Sequence, residues 1–76
     1  MATDYNQADV TFVRMMIPHH QAAVDAAAKV YHAGQNAEIK AMAHKIWNAQ
    51  KKEIETLKAW LVRRGLSATG GGMRGM

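Results

Sequence analysis

Between Val10 and Tyr31 the sequence carries more apolar residues than one helix face can hold, and this excess limits what the chain can fold into. At about 100° per residue, Val10, Val13, Ile17, His20, Val24, Ala27, Ala28 and Tyr31 share one face, expected to be buried. Gln7, Thr11, Arg14, Gln21, Asp25, Lys29 and His32 form a narrow polar stripe. Phe12, Met15, Met16, His19, Ala22, Ala23 and Ala26 fill the remaining arc. A helix of this kind needs more than one neighbour. Asp4 or Asn6 can cap its start, and Gly34 with Asn36 marks its end near His32. Pro18 sits inside, where it removes the hydrogen bond to the Arg14 carbonyl and is expected to kink the helix over that turn.

The segment from Asn36 to Arg64 repeats the pattern, with Ile39, Ala43, Ile46, Ile54, Leu57 and Leu61 on one stripe and Gln50 at its centre. Asn36 can cap this second helix, Lys58, Arg63 and Arg64 oppose the negative end of its dipole, and Gly65 ends it. From Ser67 onward there is no periodicity. The reading is a helical hairpin over residues 1–66 and a flexible Gly/Met tail over 67–76. An antiparallel hairpin covers one face of each helix and leaves the second arc of the first helix bare. Exposed patches of that size mark association surfaces, so the expected architecture is all-α, a hairpin completed to a four-helix bundle by homodimerisation with twofold symmetry.

With 76 residues and no cysteine, the chain has neither disulfides nor thiolate metal sites to support a small core. Lys and Arg number 10 against 6 Asp and Glu, a net charge of +4. Such mild basicity admits nucleic acid or an anionic membrane surface. Lys40, Lys51, Lys52 and Lys58 with Glu55, however, read as the solvated face of an amphipathic helix, and no nucleic-acid partner is expected. Met15 to Val24 is the longest uncharged run, well short of the roughly 20 apolar residues of a membrane span, so no membrane insertion is expected. The opening Met-Ala-Thr-Asp-Tyr-Asn-Gln is no secretory signal; the reading is a cytoplasmic protein or one whose export signal has been removed.

If the turn centres between Gly34 and Gln35, His20 faces Gln50 and Met16 faces Glu53. Met16 and His20 are i, i+4 and Gln50 and Glu53 are i, i+3, so four polar or soft side chains converge at one level. An unpaired polar group in an apolar core costs about 1–3 kcal/mol, so this layer must satisfy itself or hold a ligand. In one reading His20 and Gln50 bond each other and set the register of the hairpin. In the other the run Met15-Met16-Ile17-Pro18-His19-His20 supplies two Met/His i, i+4 pairs, and thioether with imidazole is the donor set that soft Cu(I), or Ag(I) as its mimic, prefers. Methionine is also a common core filler. His19 lies about 100° from His20, with Met15, Phe12 and Ala26. If that arc is a dimer seam, Met15 and His19 of two copies meet near the twofold axis.

His32 and His44 fall on polar sides and read as solvated, with Asp25 and His44 positioned to pair across the hairpin edge. Trp47 and Trp60 flank the second stripe as core or interface rings. The Glu-x-x-His pairs of a di-iron oxidase are absent, since Ala41, Thr56 and Lys58 follow Glu38, Glu53 and Glu55 at that spacing. No nucleophile context or phosphate-cradling glycine loop occurs, so the chain reads as a binding protein rather than an enzyme.

The pattern Phe12-x-x-Met15-Met16-Ile17-Pro18-His19-His20-Gln21-x-Ala23-Val24-Asp25, followed by Ala43-x-x-Ile46-x-x-x-Gln50-x-x-Glu53-Ile54-x-x-Leu57-x-x-Trp60-Leu61, resembles the family catalogued as domain of unknown function 305, in its CopM-like form. The resemblance implies a ferritin-like helical fold, often built from two such hairpins, and exported copper-binding proteins linked to copper tolerance. It carries metal ligation to Met15, Met16, His19 and His20, and the facing layer of the hairpin adds Gln50 and Glu53 as candidate supporting groups. It also implies copper as the cofactor, a periplasmic or extracytoplasmic location, and a copper donor or acceptor protein as partner. Many relatives have methionine where this chain has Ala26 and Leu57. One hairpin in place of two again favours a homodimer. Met73 and Met76 in the tail could hand over copper as thioethers. The alternative function is a metal-free helical bundle serving as an interaction or assembly module.

Overall fold

Asn6 starts the first helix. Its side chain accepts a hydrogen bond from the Asp9 amide at 3.2 Å, and Asp9 Oδ2 accepts from the Asn6 amide at 2.9 Å. This reciprocal capping box satisfies two amides that no helical carbonyl can reach. In the computed structural model, which describes residues 4–68, α1 then runs over Gln7–Ala33 without ending at Pro18. Asn36 caps α2 (Ala37–Arg63) by accepting from the Ile39 amide at 2.9 Å. The two helices pack on each other as an antiparallel hairpin, and no strand occurs among the described residues.

The sequence placed both helix ends close to where they lie. Gly34 closes α1 by donating to the Val30 carbonyl at 2.7 Å. A Cβ at Gly34 would lie 2.6 Å from that carbonyl oxygen, so the close approach needs a glycine. At the far end Gly65 has φ 71°, Leu66 N donates to Leu61 O and Gly65 N to Val62 O. These paired bonds form a Schellman motif, and Leu66 folds back toward Leu61 as that motif favours.

The core is a single seam. Its buried residues are Val10, Val13, Val24 and Ala27 from α1 and Ala43, Ile54 and Leu61 from α2. Val10, Val13 and Leu61 cluster at the open end of the hairpin, joined by Tyr5, Ile17, Leu57, Trp60, Leu66 and Ala68. That end is also tied by polar contacts. Arg64 bonds Asp4 at 3.0 Å with its guanidinium 4.2 Å from the Trp60 ring centroid, and Tyr5 meets Trp60 edge-on. Asp4, a cap candidate in the sequence, serves here instead, and the Arg64 hydrogen bond holds its carboxyl below the ordinary range. Arg14 donates to the carbonyl and hydroxyl of Ser67. Ser67 and Ala68 of the expected tail thus lie against the helices, while the rest of it, with Met73 and Met76, lies outside the described residues.

Three residues assigned to buried faces are not buried. Tyr31, Ile39 and Ile46 are exposed. Toward the turn the helices meet through Ala27 and Ala43, whose small side chains define a narrow contact. Ala43, Ile54 and Leu61 lie to one side of the α2 stripe, so Ile39 and Ile46 rotate onto the opposite flank. No described helix is long and apolar enough to cross a membrane.

Leu61 is fully enclosed whereas its neighbour Val62 is 68% exposed. Truncating Leu61 to alanine should cost about 2–5 kcal/mol and Val62→Ala less than about 0.5 kcal/mol, read by urea denaturation of both variants. Equal losses would place the seam elsewhere.

Candidate metal centre

Met16 and His20 project from successive turns of α1 toward α2, and with Glu53 they line one open groove of about 300 Å³ completed by Phe12, Thr56 and Leu57. His20 is half-buried and makes two polar contacts. Its Nδ1 lies 2.9 Å from the Met16 carbonyl and its Nε2 lies 2.6 Å from Glu53 Oε1. A carbonyl oxygen can only accept, so Nδ1 carries a proton and donates. The nitrogen left for chemistry is therefore Nε2, facing the groove. With Nε2 also protonated, the ring and the Glu53 carboxylate form a charge-assisted pair across the hairpin.

The expected partner of His20 was Gln50. The structure corrects this to Glu53, one turn further along α2, and the cause is the tilt of side chains on a helix. Each Cα–Cβ bond leans toward the N-terminus of its own helix, so His20 leans away from the turn while Glu53 leans toward it. The two converge, and Gln50, half-buried one turn nearer the hairpin turn, does not line the groove they share. The same tilt separates the other expected pair. Asp25 accepts from Gln21 at 3.1 Å, and His44 lies instead against Tyr31, with ring centroids 5.6 Å apart.

The Met15–His20 run is divided between two environments. Met16 and His20 enter the groove. Met15 and His19 do not line it and are exposed, with the His19 ring centroid 6.3 Å from that of His20. Phe12 and Met15 are 58% and 59% exposed, and Ile39 and Met42 of α2 are 46% and 53% exposed. Ile39, Met42 and Ile46 adjoin Ala23, Ala26 and Val30 in a shallow apolar trough. The bare arc anticipated on α1 is thus widened by α2. Among the described residues no three His, Cys, Asp or Glu side chains gather so that they could hold a metal ion. What one chain offers in the groove is a thioether, an imidazole and a carboxylate.

A family model described as "Domain of unknown function (DUF305)" matches residues 9–76, spanning both helices and continuing past Leu61, where the sequence resemblance ended. No curated protein and no solved structure matches the chain.

The register correction predicts which residues are coupled. In a double-mutant cycle His20→Ala and Glu53→Ala should show about 0.5–1 kcal/mol of coupling, limited by the exposure of Glu53. His20→Ala with Gln50→Ala should add within about 0.5 kcal/mol. Coupling to Gln50 instead of Glu53 would restore the original register.

Proposed function

This chain belongs to the DUF305 family, a family whose description assigns no activity; from its Met/His residues we propose that it binds copper as Cu(I), and from its resemblance to copper-tolerance proteins that it buffers or carries that copper. The observation that carries this reading is the groove in which the Met16 thioether lies beside a His20 ring whose Nδ1 is committed to a backbone carbonyl. A ring so tethered offers Nε2 as its ligand atom once its proton and the Glu53 contact are given up, the arrangement by which second-shell bonds orient metal-binding histidines. Copper would then take the position that Glu53 holds, and Glu53 either follows as a supporting oxygen or is released.

Met15 and His19 supply the second pair of soft donors. They share the exposed arc with Phe12, and we place the seam of a homodimer there, closing a ferritin-like four-helix bundle in which donors from two copies share a site. In this reading the chain is a single-hairpin, CopM-like member of its family, exported to a periplasmic or extracytoplasmic location and exchanging copper with a donor or acceptor protein. A second reading is supported by the same groove. His20 and Glu53 satisfy each other without a metal, as they would in an assembly module whose polar pair only fixes the register.

An anaerobic Cu(I) titration against a competing chelator, repeated with Ag(I), separates the two. His19→Ala should weaken copper binding by about tenfold or more, a loss of about 1.4 kcal/mol or greater, while the helical melt is retained. His20→Ala should lower both copper affinity and the metal-free melt. Light scattering should give a dimer of the 8.4 kDa chain. No competition above that of a Met- and His-free peptide leaves the assembly module, and a folded monomer removes the shared site.

A further inference from the structure

Two histidines remain outside the Met/His groove, and the hairpin brings them to one place. A cleft of about 260 Å³ near the turn is lined by Ala27, Ala28, Tyr31, His32, Ala43, His44 and Trp47. Both imidazoles contact the same phenol ring. His44 lies tilted against Tyr31 at 5.6 Å and His32 meets it edge-on at 5.7 Å. Both histidines are exposed, so each ring can turn about its side-chain bonds without disturbing the core. Tyr31 itself, expected in the core, stands out beside them.

We propose that His32 and His44 form a second metal site, for a borderline divalent ion of the Cu(II) class, distinct from the soft Met/His groove. The donor chemistry sets the class. Neither a thioether nor a thiolate lines this cleft, and imidazole without sulfur suits Cu(II), Ni(II) or Zn(II) rather than Cu(I). The small side chains of Ala27, Ala28 and Ala43 leave the room in which the rings can converge, and water completes the coordination. Two cations border the cleft, and both are engaged with its rings: Lys40 Nζ lies 5.8 Å from the Tyr31 centroid and Lys51 Nζ 4.8 Å from that of Trp47. One ligand comes from the last turn of α1 and the other from the second turn of α2, so an ion held by both staples the two helices across the turn. The site stands apart from the groove. His32 is twelve residues beyond His20, about 18 Å along α1.

Trp47 lines the cleft, whereas Trp60 belongs to the Tyr5 and Arg64 cluster at the other end, so Cu(II) held in the cleft should quench indole emission through Trp47. The test is an aerobic Cu(II) titration of the full chain, followed by tryptophan fluorescence and by electron paramagnetic resonance. Variants His32→Ala, His44→Ala, the two combined, and His19→Ala with His20→Ala are compared, with folding checked by circular dichroism. Each substitution at 32 or 44 should weaken the saturable quench by about tenfold or more, since a single imidazole replaces a chelate, and should leave Cu(I) competition unchanged. The His19/His20 variant should keep the quench and the nitrogen hyperfine pattern while losing Cu(I). A quench that survives loss of both His32 and His44, that follows His19 and His20, or that is absent from the wild type overturns the second site. None of these results depends on whether the groove binds Cu(I), because that is read separately in the anaerobic competition.

Discussion

Two helices can hide only one strip from each other, and most features of this molecule follow from that shortage of partner surface. Among the described residues seven hydrophobic side chains are buried, and three of these form the core cluster at the open end of the hairpin. With so thin a seam, the ends carry an unusual share of the order. Asn6 and Asn36 satisfy the helix starts, Gly34 and Gly65 the ends, and the Asp4–Arg64–Trp60–Tyr5 assembly closes the mouth of the hairpin. Arg64 over two aromatic faces contributes through its apolar stacking surface as well as its charge.

The same thinness explains how a polar pair can cross the seam at all. In a wider core His20 and Glu53 would be cut off from water, and their desolvation would outweigh their attraction. Here Glu53 keeps more than half of its surface in solvent and His20 sits at the edge of the groove. The pair therefore contributes little stability, yet it fixes which turn of α1 faces which turn of α2. Because Nδ1 is held by the Met16 carbonyl, whatever binds this ring must compete with Glu53 for Nε2. Register and the proposed copper binding draw on a single nitrogen atom, which would make them alternatives rather than independent properties.

The helices, their caps and the hairpin were legible in the sequence because those features are local. Capping residues, glycines and a 3.6-residue period act within a few positions of one another. The separation of His20 from His19 was also readable from the helical wheel. Contacts across the hairpin were not. Facing residues by distance from the turn treats side chains as perpendicular to the helix, whereas their tilt carries His20 to Glu53 and His44 to Tyr31. Burial near the turn failed for another reason. A wheel shows which residues share a face but not where on that face the neighbouring helix sits. Ile39, Ile46 and Tyr31 lie at its margins. The Arg64 cluster was hidden because it joins residues at opposite ends of the chain, a closure that no periodicity announces.

Charge bears on which margin a second copy would cover in the proposed dimer. Within α1 the two cations Arg14 and Lys29 balance Asp9 and Asp25. Within α2 Lys40, Lys45, Lys51, Lys52, Lys58 and Arg63 outnumber Glu38, Glu53 and Glu55. On the flank that holds Trp47, Lys51 and Lys58 line the groove between the helices together with one carboxylate, Glu55. Pairing two copies there would bring two cations and one carboxylate from each chain together, a net positive charge set against itself at short range. The opposite flank, with Ala23, Ala26, Val30, Ile39, Met42 and Ile46, carries no charged side chain in its trough. In the proposed dimer that flank closes. Met15 and His19 then lie toward the partner, and His32, His44, Lys51 and Lys58 stay on the side open to ions and other proteins.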